Sequence, residues 1–153
     1  MDVAADQLKF VALDGEDLEV VSAHLQDAVV NPAEILWRPA EHRLVLGLAR
    51  FDWEAAQSAN PQYRRRRAAL RFERVRACKA RQIDPANSNA ALNLLAVDFA
   101  ANDAPAGIVT LTFSGGAALR LEVECLEAEL ADLGPTWACA ACPSHADLPT
   151  QTA

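Results

Sequence analysis

The chain predicts an α+β domain in which a mainly antiparallel β-sheet curls into a roll or half-barrel, with one early helix and one C-terminal amphipathic helix capping it. Three observations carry that reading. Between Ala68 and Glu122, alternating apolar segments follow one another across short turn clusters, which leaves no room for the crossover helices that parallel neighbours need. Asp14-Gly15 opens a stretch whose apolar residues recur at helical spacing. From Val123 onward the apolar period changes from two toward that of a helix.

Leu8 to Leu13 is short and apolar and ends at the Asp14-Gly15 turn, as a strand does. A helix over 15–27 follows, with Asp14 as its N-cap, Glu16 and Asp17 in the first turn, and Leu18, Val21 and Leu25 on its buried face. The β-branched run from Ala28 predicts a strand that breaks at Asn31-Pro32 and resumes through Ile35, Leu36 and Trp37; Pro32 marks an edge or a bend. From Arg43 to Trp53, Leu44, Leu46 and Leu48 share one face of a long strand, and Val45, Gly47, Ala49, Phe51 and Trp53 share the other. Glu54 to Arg67 has no apolar period, contains Asn60-Pro61 and ends in four arginines, so it is expected to be a solvated connection and the most mobile loop.

Leu70 and Phe72 differ in parity from Val75 and Ala77, and a β-bulge near Glu73-Arg74 would turn all four inward. The cluster Asp84 to Asn89 makes a turn, Leu92 to Phe99 a strand, and Asn102 to Gly107 the next turn. Val109, Leu111 and Phe113 then pair through Ser114-Gly115-Gly116 with Leu119 and Leu121 as a hairpin. Val123, Leu126, Leu130 and Leu133 predict the terminal helix, with Glu122, Glu127, Glu129 and Asp132 on its wet side and Gly134-Pro135 as its stop. Residues 1–137 are thus expected to form one domain and 138–153 a loose tail; no repeat of about 20 to 50 residues is visible.

Composition bounds the function. The 153 residues suit one domain, and no apolar run approaches the roughly 18 residues of a membrane helix. Asp2 and Asp6 stand where a secretory leader would carry basic residues, so a cytoplasmic protein with reduced cysteines is expected. The net charge of −7 hides an asymmetry. Arg64 to Arg81 carries nine basic residues against the single acid Glu73, while the remainder carries five against twenty. An acidic body disfavours nucleic acid as a partner, whereas a concentrated basic stripe permits a local contact with an anionic protein or a phosphate-bearing ligand.

The segments LDGEDLEVVSAHLQDAVV, RLVLGLARFDWE, RRRRAALRFERV and GGAALRLEVECLEAELADLGPTW, in this order and spacing from Leu8 to Trp137, resemble an alphaproteobacterial domain-of-unknown-function family, number 2948. The resemblance implies a bacterial protein and brings no activity, substrate or cofactor. The predicted sheet with its terminal helix also resembles the pleckstrin-homology-like roll, from which the early helix departs.

Arg64, Arg65, Arg66, Arg67, Arg71, Arg74 and Arg76 are the candidate anion-binding residues, because a guanidinium offers forked donors to phosphate oxygens. On a strand, Arg65, Arg67 and Arg71 take one parity and Arg64, Arg66, Arg74 and Arg76 the other. The competing and favoured reading is a solvated face that pairs with the acidic remainder. Cys139, Cys142 and His145 have spacings that a metal could use but offer three ligands where a structural zinc wants four, so an incidental motif is favoured over a metal-dependent protein or enzyme. His24 and His42 read as structural or solvated, Trp37, Trp53 and Trp137 as packing residues, and Ser114 as part of a turn between strands. No catalytic residue and no cofactor is expected. The most economical reading is a small non-enzymatic binding domain.

Overall fold

The computed structural model describes residues 7–84, 86 and 90–139. In chain order the elements are β1 (Lys9–Ala12), α1 (Gly15–His24), β2 (Ala28–Arg38), β3 (Arg43–Phe51), the one-turn α2 (Trp53–Ala56), β4 (Arg64–Phe72), β5 (Val75–Arg81), β6 (Leu92–Ala101), β7 (Gly107–Phe113), β8 (Ala118–Val123) and β9 (Ala128–Ala138). All nine strands join one antiparallel sheet in the order β1-β9-β4-β3-β2-β6-β7-β8-β5.

That order forces curvature. β4 lies near one end of the sheet and β5 at the other, yet only Glu73 and Arg74 separate them in sequence. β8 and β9 are likewise split across the two ends and joined by four residues. Both connections meet at one corner, where Glu73 N–H donates to the Glu127 carbonyl (2.9 Å) and Glu124 N–H to the Arg74 carbonyl (3.0 Å). The ends of the sheet are thereby brought together and the sheet rolls around its apolar face. The bulge expected within one strand at Glu73-Arg74 is corrected: Arg74 adopts φ +57° where the chain crosses from one half of the sheet to the other, the register shift falls between Val75 and Ala77, and Ala77 pairs with the exposed Glu122 instead of facing the core.

With the edge strand β1 set aside, the order is also symmetric: exchanging β2, β3, β4 and β5 for β6, β7, β8 and β9 reproduces it read backwards, with the β2–β6 pair at the centre. Each four-strand meander lends its last strand to the other half.

Alternation places the core. Leu44, Leu46 and Leu48 of β3, Ala68, Leu70 and Phe72 of β4, Val109, Leu111 and Phe113 of β7, and Leu119 and Leu121 of β8 are buried together. α1 packs on β6 through Leu18 and Val21, with Leu25 buried just beyond its end, and Ser22 Oγ accepts from Val97 N–H (3.0 Å). Its start is as the residues require: Asp14 Oδ1 accepts from Asp17 N–H at 2.8 Å. In β2 the register shifts between Val30 and Ile35, which absorbs Asn31-Pro32 without ending the strand.

Two further expectations are corrected. The C-terminal amphipathic helix is absent, since Ala128–Ala138 is strand β9, paired with both β1 and β4. Ala128, Leu130 and Asp132 point inward, whereas Leu133, which a helix would have buried, is 58% exposed. A polar residue at an inward position and an apolar one at an outward position together imitate helical spacing. The likeness to the pleckstrin-homology-like roll therefore lacks its capping helix. The solvated connection predicted to run to Arg67 ends earlier, because Arg64–Arg67 open β4 and Arg66 is buried. Among the described residues, no helix is long and apolar enough to cross a membrane.

Candidate anion-binding surface

The arginine run divides by strand parity. Arg66 of β4 faces the interior with Arg50 of β3 and Asp132 of β9, and all three are buried. Arg50 and Asp132 meet through two hydrogen bonds, Nε to Oδ1 (2.8 Å) and Nη2 to Oδ2 (2.9 Å). The other half of the network is Asp52, whose Oδ2 accepts from Nε of both Arg64 and Arg66 at 2.8 Å while its Oδ1 accepts from Ala55 N–H at 3.1 Å. Asp52 therefore caps α2 and is shared by two arginines, and the second carboxylate near Arg66 is Asp132 at 4.0 Å. Asp132 Oδ2 also accepts from Leu8 N–H at 2.7 Å and anchors the start of the chain.

Burial alone would raise the Asp52 carboxyl, but the hydrogen bonds from Arg64, Ala55 N–H and Arg66 outweigh it and hold the group well below the usual carboxylate range. Burial would lower Arg50, yet the hydrogen bonds and charge of Asp132, with Glu54 and Asp52 behind it, leave it above its ordinary value. Both side chains stay charged inside the fold.

On the outer face, Arg65 donates to the carbonyls of Asp27 and Ala49 (3.2 Å each) and lies over the Phe51 ring at 5.9 Å. Arg67 binds Glu34 across Gly47, where a Cβ would collide with that pair. Arg71 reaches Glu129 (3.2 Å) and Glu73 (3.3 Å), and Arg74 reaches Glu127 (3.3 Å). The acids expected on a helix surface thus serve the arginines of the neighbouring strand.

Several exposed cations have no ion-pair partner among the described residues: Arg38 at the end of β2 and, gathered on two paired strands, Arg76, Lys79 and Arg81 of β5 and Arg120 of β8. Register aligns Asp98 of β6, Thr110 of β7, Arg120 and Lys79 in one row across four strands. With Arg81 and the small apolar Ala80, Ala100, Ile108 and Ala118 they line a concavity of about 470 Å³ on the outside of the sheet. Of the seven candidate anion-binding arginines only Arg76 belongs with this group, while Lys79 and Arg81 come from the same Arg64 to Arg81 basic stripe. Sequence reasoning singled out neither Arg120 nor Asp98 as part of a site, because β5 and β8 are not neighbours in sequence and nothing local announces their register.

Cys139 is a half-buried free thiol whose N–H donates to the Tyr63 carbonyl (2.8 Å), whereas Cys142 and His145 lie outside the described residues. Among the described residues no cluster of three or more His, Cys, Asp or Glu is placed to hold a metal. Elsewhere, burial pushes the Cys78 thiol up. His24 Nδ1 contacts Glu54 Oε2, and His42 Nδ1 lies 3.3 Å from the Val75 carbonyl. Trp53 packs edge-on to Phe51 with its indole N–H on the Gln26 carbonyl, while Trp137 is exposed.

A family model described as a protein of unknown function, DUF2948, matches residues 8–145. No curated protein and no solved structure matches the chain.

Proposed function

The chain belongs to the DUF2948 family, and on that premise we propose that it is a small non-enzymatic binding domain of the bacterial cytoplasm that contacts an anionic partner through the outer face of β5 and β8. The observation that carries this reading is the set Arg76, Lys79, Arg81 and Arg120, four exposed cations on two paired strands, none within 4.0 Å of a carboxylate of the described chain although Asp98 and Glu122 stand on the same face. In a protein of net charge −7, cations left unpaired by so many acids are available to a ligand. The charges or donors of Arg64, Arg65, Arg66, Arg67, Arg71 and Arg74 are taken up within the fold, so the reading rests on the β5 and β8 cations. The rolled antiparallel sheet supports the pleckstrin-homology-like comparison in its strands alone, without the capping helix, within a single domain over 1–137.

The test is an NMR titration with pyrophosphate and with polyglutamate. Amide shifts should cluster on β5 and β8, fade at high salt and vanish in a Lys79→Glu/Arg120→Glu variant. Shifts elsewhere, or none with either ligand, overturn the reading.

A further inference from the structure

We propose that β5 receives an extended acidic segment of a partner protein as a tenth strand of the sheet. This deepens the anionic-contact reading and rests on it. β5 ends the strand order, so β8 occupies only one of its edges. On the other edge, among the described residues, the backbone bond found is Val75 N–H to the His42 carbonyl at 2.9 Å, at the very start of the strand. Along the rest of this seven-residue strand, the alternate residues whose backbone groups turn away from β8 therefore present donors and acceptors to an incoming backbone.

Charge selects what can dock there. Lys79 stands directly opposite Arg120, with Arg81 next along the same face. Like charges facing each other across a strand pair repel, and the described chain supplies no ion pair to relieve them. A carboxylate on an added strand would stand beside Lys79, about 5 Å away, and extend the row Asp98, Thr110, Arg120, Lys79 by one strand. The same cations repel the β5 edge of a second copy, so the edge is closed to its own kind and open to an acidic strand. β1, at the opposite end of the sheet, differs: it has four residues and its Lys9 already faces Glu129 at 3.8 Å.

The experiment is fluorescence anisotropy with a labelled peptide of about ten residues alternating Glu and Val, paired with hydrogen exchange of the β5 amides in the full chain. The peptide should bind in a salt-sensitive way, weaken about tenfold or more in Lys79→Glu and in Arg120→Glu, and protect amides between Ala77 and Arg81. Lys79→Gln, which adds no negative charge, should give an intermediate loss, and thermal unfolding of each variant checks that the fold is retained. Binding that responds to these substitutions without added amide protection overturns strand addition and leaves the anion reading standing. So does a peptide that fails to bind while pyrophosphate binds in a Lys79- and Arg120-dependent way. If neither binds, both fail.

Discussion

Arg50 and Asp132, 82 residues apart in the chain, form a two-bonded ion pair with neither side chain exposed to solvent. The pair clamps β3 to β9 across the intervening β4, and Asp132 adds the Leu8 backbone to the same clamp. Removing one member strands the other charge in the interior. Asp132→Ala should therefore cost about 3–5 kcal/mol, measured by urea unfolding. An Arg50→Met/Asp132→Leu double variant should recover only part of the loss: Arg50 is no longer left as a lone charge, but Leu8 N–H loses its acceptor and Arg66 one of its two carboxylates.

Asp52 gives stability a pH dependence of defined sign. Its carboxyl is held below its ordinary value of 3.8 in the folded state, so its contribution is complete above that pH and drains away as the pH falls through the folded value. Asp52→Asn should destabilise the protein by at least about 2 kcal/mol at neutral pH. The gap from wild type should narrow steadily below pH 3.8. Unfolding curves collected down the acid limb check both points.

Two strand glycines should respond unequally to alanine. At Gly107 the new Cβ would meet Phe99 Cε1 at 2.5 Å and the Ala100 carbonyl oxygen at 2.6 Å, and the backbone cannot withdraw. At Gly47 it meets the ends of Glu34 and Arg67, which can swing into solvent. Gly107→Ala is expected to cost about 2–3 kcal/mol and Gly47→Ala less than about 1 kcal/mol, compared by thermal unfolding.

Asp14 caps α1 through the amide of Asp17. Asp14→Ala should cost about 1 kcal/mol, and Asp14→Asn, which keeps the acceptor, only a fraction of that.

Where the cause of structure is local, the chain states it openly. The Asp14 cap, the Leu18, Val21 and Leu25 face, the Leu44 to Leu48 alternation and the hairpin through Ser114 all read directly from spacing. β9 was hidden because its inward row contains Asp132, a carboxylate made tolerable only by Arg50 from another strand. Parity correctly separated Arg64 and Arg66 from Arg65, Arg67 and Arg71. It could not say that Asp52 waits inside for the first pair, or that Glu34, Glu73 and Glu129 wait outside for the last two of the second group. The row from Asp98 to Lys79 was invisible for the same reason, since it exists only once four separate strands have found their register.

The reciprocal loan of β5 and β9 makes each half of the molecule depend on the other for completion. Scission between the two meanders, near Ala90, would yield fragments each missing a strand held by its counterpart. Separately, neither could close its roll. Mixed, they should reassemble without any added linker, much as two hands clasp by exchanging a finger.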